Sequence, residues 1–444
     1  MKFFKKIIVW ILTLESKMIL RKYKPFIIAV TGSVGKTSTK DAIYSAIKDQ
    51  GKYVRKSEKS MNSEVGLPLT IIGAPNAWHS VSQWTNNIRQ GFRLIFGKAE
   101  YPDCLILELG ADHLGDIKRT VKWLKPDIGV ITLVSKTPVH VEFFKSPEQL
   151  FEEKASLIRA IKKGGSAILF ADDDRILALV DEVSKKGIAV TTFGIKEKPD
   201  IRGSDFHYEY VRDSREDSGD GSLKKKLVCQ FTVAIDGAKH EVTFTNPIGR
   251  TGMYPLLAAA GVAKARGMKT DEILKGLNEY QAPKGRMNVL AGINESTLID
   301  DSYNSSPDAV ISALQTLKEI SCPGRKIAIL GDMMELGRYS AEEHRKVGKE
   351  AANVAQILIT VGQRSRATAE EAIANGMSAE NVKSFDSSND VIEMIVPLIK
   401  PGDLVLIKGS QSIRMERVTK ALLKEQGKAK ELLVRQEPEW LEKA

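Results

Sequence analysis

The chain of 444 residues is 42% hydrophobic and 27% charged, the balance of a soluble globular protein too long for one ordinary domain, so two or three packed domains are expected. Its three cysteines, Cys104, Cys229 and Cys322, lie far apart with no CxxC pair, which argues against a disulfide framework or a thiolate zinc site and fits a reducing cytoplasm. The net charge of +10 invites a nucleic-acid reading, but seven Lys or Arg fall in the first 25 residues against the single Glu15. The basicity is local and lacks interleaved aromatics, so no nucleic-acid partner is expected.

Residues 1–24 start with Lys2, Lys5 and Lys6 ahead of the apolar run from Ile7 to Leu14. Eight residues are too few to span a bilayer, no small-residue cleavage site follows, and Glu15, Lys17, Arg21, Lys22 and Lys24 interrupt the pattern. Apolar residues at 7, 8, 11, 12, 14, 18 and 20 predict a basic amphipathic helix docked on the body of the protein, with interfacial membrane contact through Trp10 the minority reading. From Pro25 strands and helices alternate. Strands are predicted over Phe26 to Val30, Cys104 to Leu109, Ile128 to Leu133 and Ala167 to Phe170, with helices over Thr39 to Lys48 and Ser146 to Ile161. A mostly parallel, helix-covered sheet follows.

Between Ile201 and Thr245 the pattern becomes period-two, at Phe206 to Val211, Leu227 to Ile235 and Glu241 to Phe244, which predicts a small antiparallel addition. Helical pattern resumes at Tyr254 to Arg266 and Thr270 to Tyr280, and Pro283, Lys284 and Gly285 make a hinge. Beyond it a second α/β unit is expected. Its strands are Ser296 to Ile299, Lys326 to Leu330, Ile357 to Val361 and Leu404 to Lys408, with helices at Asp308 to Ile320, Ala341 to Asn353, Thr368 to Ile373 and Ile413 to Gln426. The expected fold is α/β: a central P-loop domain at 25–284 with a parallel sheet, then a Rossmann-like domain at 285–444.

The turn Gly32, Ser33, Val34, Gly35, Lys36, Thr37, Ser38 stands between a strand and a helix. Its glycines let backbone N–H groups approach phosphate oxygens, Lys36 can neutralise β and γ phosphates, and the Thr37 hydroxyl can meet Mg²⁺. The pattern GxxGKT is shorter than the usual phosphate loop, but its context favours phosphate binding. Glu108 ends an apolar strand at the edge where open α/β sheets bind ligands; it is either a Mg²⁺ ligand or a solvated strand end. His140 follows another strand end on the same edge, and Lys154 alone passes for a surface lysine. Asp300 and Asp301 before Asn304, Asp332 with Glu335, and Lys408, Gly409 and Ser410 also read as polar turns or a helix start.

Seven segments in order, GSVGKTST, LILELGADHLGDI, TPVHVEFFKSPEQLFEEKASLI, KGRMNVL, IDDSYNSSPDAVISAL, LGDMMELGRYSAEEH and VLIKGSQSIRMERV, resemble the Mur ligases over roughly residues 25 to 424. The last four look like the branch that adds D-alanyl-D-alanine to a peptidoglycan precursor. The resemblance implies an ATP-dependent amide-forming ligase working through an acyl phosphate, whose partners are small-molecule or peptide substrates; a monomer is expected. It places Lys36 on the ATP phosphates, Thr37 and Glu108 on one Mg²⁺, and His140 on a second. Lys154 matches the lysine that the family carbamylates for the metals, and Arg286, Asp301 and Asn304 match residues through which the second domain reaches the nucleotide. Only about 30 residues precede the phosphate loop, where the family carries a domain that grips the UDP-sugar, so that domain is expected to be absent. A strand-end Asn common in the family is Leu133 here, and Thr251 and Pro255 replace a His and an Asn. Two other readings stand beside this one: a ligase on a polyglutamyl or folate-like carboxylate, and an ATP-binding homologue without catalysis.

Overall fold

The computed structural model describes residues 2–442 apart from 51–52, 59–60, 78–79, 136–143, 145, 197 and 213–224. The first helix, α1 (Lys2–Tyr23), leads into a nine-stranded sheet: β1 (Phe26–Thr31), β2 (Val54–Lys56), β3 (Cys104–Glu108), β4 (Ile128–Ile131), β5 (Ser166–Phe170), β6 (Ala189–Gly194), β7 (Ile201–Arg212), β8 (Lys225–Ile235) and β9 (Ala238–Phe244). Its order is β2-β3-β1-β4-β5-β6-β7-β8-β9. Strands from β2 to β7 pair in parallel, and the near-continuous apolar sequences of β1, β3, β4 and β5 suit burial on both faces. The predicted antiparallel addition is the continuation of this sheet, β7 pairing in parallel with β6 and antiparallel with β8.

The helices that frame the sheet near its first strands are α2 (Lys36–Ile47), α3 (Gly66–Ile72), α4 (Val81–Phe96), α5 (Asp116–Leu124) and α6 (Pro147–Arg159). On one side Ile43, Ile47, Ala155 and Ile158 pack with Ile28, Ile106 and Val130. On the other, Ile8, Leu12 and Ile19 of α1 close over Ile27, Ala29, Leu105 and Leu107 with α3 and the end of α4. Each such fully buried aliphatic side chain contributes about 1.5–3 kcal/mol. Tyr23 and Lys22 fasten the end of α1: the ring stacks on Tyr101 at 4.5 Å, and the ammonium donates to the carbonyls of Leu94, Ile95 and Gly97, satisfying the end of α4. Among the described residues no helix is long and apolar enough to cross a membrane.

A second, six-stranded sheet has the order β10-β11-β15-β12-β13-β14, from β10 (Asn288–Ala291), β11 (Thr297–Asp301), β12 (Lys326–Gly331), β13 (Ile357–Val361), β14 (Val382–Phe385) and β15 (Leu404–Lys408). Only β10 pairs antiparallel, with β11. The apolar core continues from Ile28 and Ile106 through Phe231, Ile248 and Met287 to Leu314, Leu317 and Leu406. Tyr208 and Tyr210 of β7 tie the first unit to the second, donating to the Glu319 carboxylate at 3.1 Å and the Ser321 carbonyl at 3.0 Å. The helix expected over Ile413 to Gln426 is shorter, Glu416–Leu422, because Arg414 takes a left-handed conformation (φ 60°) that an α-helix cannot include.

Candidate active site

Parallel register sets the site. Val30 lies opposite Glu108 and Val130, so the ends of β1, β3 and β4 reach one edge of the sheet together. The turn after β1 needs its glycines. A Cβ on Gly32 would fall 1.9 Å from Thr132 Oγ1, and Gly35 has φ 86° at the N-cap of α2. No side chain caps that helix, so its N-terminal turn at Lys36, Thr37 and Ser38 is placed to meet an anion. Ser33 and Val34 N–H donate to the Leu133 carbonyl at 2.8 and 3.3 Å, and Thr132 Oγ1 donates to the Val34 carbonyl at 2.8 Å. The loop is braced from β4 before any ligand arrives.

Four functional side chains, Thr37, Glu108, Lys36 and Lys154, meet at this loop. Thr37 Oγ1 donates to Glu108 Oε2 at 3.0 Å, and Asn62 Nδ2 donates to Oε1 at 2.9 Å, with the carboxylate only 1% exposed. Lys36 Nζ donates to the carbonyls of Gly32 and Ser33 at 2.9 and 3.2 Å. Lys154 Nζ, from α6, reaches the Gly32 carbonyl at 2.9 Å. It is not the surface lysine it resembles in isolation; it is 4% exposed. Burial, with the neighbouring Lys36 charge, holds its pKa well below that of an ordinary lysine. Burial likewise lowers Lys36, with the Arg286 charge adding to the effect and Glu108 opposing it.

The position of Lys154 comes from its neighbour. The Glu153 carboxylate accepts from the backbone N–H groups of Gly115, Ile117 and Lys118 at 2.9, 2.7 and 3.0 Å, capping α5 and fixing α6 against it. Neither Glu153 nor Asn62 stands out in the sequence: each is an ordinary polar residue in a helix or loop, and only the chain's return to the sheet edge gives it a partner. His140 lies outside the described residues.

From the second sheet, the Arg286 guanidinium stacks over the Tyr303 ring at 4.2 Å. Its charge, after burial, adds to the lowering of the pKa of both Lys36 and Lys408. Asp301 is engaged: Oδ2 accepts from Lys408 at 2.5 Å and Oδ1 from the Met287 N–H at 3.2 Å, while Lys408 also donates to the Asn304 carbonyl at 2.9 Å. The Asp332 segment is a braced turn. Asp332 Oδ1 accepts from the Ser365 N–H at 2.7 Å, the Met334 N–H donates to Ser410 Oγ at 2.9 Å, and the Met333 N–H donates to His344 Nε2 at 3.1 Å.

The arrangement offers a helix N-terminus and a lysine for phosphate, and a buried carboxylate beside a hydroxyl. Such hard oxygens suit Mg²⁺, which binds through one or two protein oxygens together with substrate phosphates. No group of three His, Cys, Asp or Glu side chains that could hold a metal ion occurs among the described residues.

Comparison with known proteins follows the same line. Residues 30–263 match the model of the Mur ligase middle domain, and residues 285–411 that of the Mur ligase glutamate ligase domain. The chain is 25% identical to the UDP-N-acetylmuramoyl-tripeptide--D-alanyl-D-alanine ligase of Bacillus subtilis over 92% of its own length and 78% of that protein. With the enzyme of the same name from Escherichia coli the identity is 28%, over 89% and 76%. Among solved structures, the MurF ligase of Thermotoga maritima in complex with ADP superimposes with a TM-score of 0.73 at 25% identity, covering 95% of this chain and 84% of that one.

Proposed function

The chain belongs to the Mur ligase family, and on that premise we propose that it is an ATP-dependent, ADP-forming ligase that joins D-alanyl-D-alanine, or a closely similar amine, to a carboxylate of a peptidoglycan precursor. The observation that carries this reading is the meeting of Lys36, Lys154 and the Thr37–Glu108 pair at one phosphate-loop edge. The division of labour follows residues 25–284 for ATP and 285–444 for the amine side and closure.

In the first step a carboxylate oxygen of the acceptor attacks the γ-phosphorus of ATP, the bond from that phosphorus to the β–γ bridging oxygen breaks, and ADP leaves. Lys36 and the α2 N-terminus hold the phosphates in line. In the second step the amine nitrogen attacks the acyl carbon of the acyl phosphate, loses a proton, and expels phosphate. Thr37, Glu108 and His140 are the proposed Mg²⁺ ligands, with Lys154 contributing as its carbamate; ions held there would offset the repulsion between γ-phosphate and carboxylate. Burial favours the neutral Lys154 amine, the form that adds to carbon dioxide with loss of a proton. Arg286, Asp301 and Asn304 are the proposed nucleotide contacts of the second domain, with Lys408 holding Asp301 in place.

The test is phosphate release from ATP and Mg²⁺ by the purified protein, comparing UDP-muramoyl tripeptide plus D-alanyl-D-alanine with a panel of other acids and amines. Release that needs both cell-wall substrates, with a product of the summed mass, is expected. Release only with glutamate and a folate-like acid would move the enzyme to another substrate class, and ATP binding without any turnover would contradict the ligase reading.

A further inference from the structure

Helix α1 has two apolar faces. Ile8, Leu12 and Ile19 are buried against the sheet, whereas Ile7, Trp10, Leu14 and Met18 are 40%, 66%, 44% and 37% exposed and form one outward stripe at helical spacing. Helix α4 lies beside it and runs in the same direction, since Glu15 abuts Gly91 and Lys22 reaches the carbonyls of Leu94 to Gly97. Its outer face carries Val81, Phe92 and Phe96, at 63%, 52% and 73% exposed, the two phenylalanines stacked at 5.7 Å. Seven of the thirteen exposed large hydrophobic side chains among the described residues therefore sit on two adjacent helices, a clustering that scattered surface residues do not show.

The exposed charged side chains of these two helices are all basic. Lys6, Lys17 and Arg21 border the α1 stripe by helical phase, and Arg89 and Arg93 border the phenylalanines of α4. No Asp or Glu occurs between Glu64 and Glu100, and the only acid of α1, Glu15, is buried.

We propose that the α1–α4 face is a docking surface for a membrane carrying anionic lipids, on which the protein rests without crossing the bilayer. An apolar stripe bearing Trp and Phe and rimmed by Lys and Arg matches an acyl boundary beneath anionic headgroups. A second copy is a poorer occupant, because packing the stripe on itself brings two cationic rims together. The sequence pattern read as a helix docked on the protein is half of the arrangement: one face is docked and the other remains open. This inference does not depend on which substrates the ligase joins.

The experiment is vesicle flotation of the full chain, purified without detergent, using phosphatidylcholine alone and phosphatidylcholine containing phosphatidylglycerol. The parent protein is expected to float with the anionic vesicles and to be released by high salt. The Trp10→Glu/Phe92→Glu protein is expected to lose about tenfold or more of the bound fraction at an unchanged melting temperature. Lys6→Glu/Arg21→Glu should weaken binding at low salt and flatten its salt dependence. Equal flotation of parent and Trp10→Glu/Phe92→Glu protein, or none of either, would overturn the proposal. So would a parent dimer that this double substitution dissociates while vesicles capture neither.

Discussion

The side-chain nitrogens of Lys36 and Lys154 share one acceptor, each lying 2.9 Å from the carbonyl oxygen of Gly32. Two cations in one buried place are unfavourable, and both lysines are shifted towards their neutral forms, first by burial and then by nearby positive charge. A lysine whose folded pKa is depressed costs stability below that pKa, and the cost fades as pH rises from the folded towards the unfolded value. Lys154→Met should therefore leave the melting temperature at neutral pH unchanged or higher while lowering turnover at least about a hundredfold. Calorimetry and phosphate release on the same sample check both halves. In the Lys154→Ala protein a small added carboxylic acid should restore part of the rate, and indifference of turnover to the substitution would remove Lys154 from the site.

Glu108 is buried with its oxygens held by Thr37 and Asn62. Glu108→Gln keeps the shape and removes the charge, so the Mg²⁺ concentration for half-maximal rate should rise by about tenfold or more. Asn62→Ala should give a smaller rise, since it loosens the carboxylate without discharging it. A Mg²⁺ titration of the three proteins measures the order, and an unchanged requirement in Glu108→Gln would exclude the carboxylate as a ligand.

Gly32 faces Thr132 too closely for any side chain. Gly32→Ala should cost about 1–3 kcal/mol in overpacking and weaken ATP binding. Thr132→Ala in the same chain should recover part of the binding, because the 1.9 Å clash is with Oγ1 while Cβ stands at 3.1 Å. Calorimetric titration with ADP reads this directly, and additive losses would point to a cause other than that contact.

Asp300, beside the lysine-bound Asp301, is wholly buried; Thr419 donates to Oδ1, and Oδ2 has no hydrogen-bond partner among the described residues. Burial raises its pKa to about 6 from 3.8. The protonated form is favoured in the fold, so its stabilising contribution is complete below the unfolded pKa and is lost as pH rises through about 6. Asp300→Asn should accordingly be close to neutral at pH near 4 and stabilising, by up to about 3 kcal/mol, above pH 6. Urea unfolding at both ends of that window decides it.

Much of the architecture is legible because buried parallel strands write themselves as apolar runs: Phe26–Thr31, Ile357–Val361 and Leu404–Lys408 stand where such runs predict them. The stretch from 50 to 103 gave no such signal. Strand β2 is only Val54–Lys56 at the sheet margin, and α4 interleaves Trp84, Ile88 and Phe92 with polar residues because two of its faces are apolar. Within the site, the phosphate loop is local in sequence and could be read, whereas Asn62, Glu153 and the Lys408–Asp301 pair exist only through contacts between residues distant in sequence. Only the family resemblance marks Lys154; no periodicity distinguishes it from the charged face of its own helix.

Glu153 and Lys154 are consecutive, so their side chains leave α6 about 100° apart. One takes hold of the start of α5, the other of the carbonyl behind the phosphate loop. A single turn of helix thereby acts as a rigid splint across two loops that the sheet alone would leave independent. The segment around Gly115 and the carbonyl of Gly32 are thus joined through α6 by a path that passes through no strand.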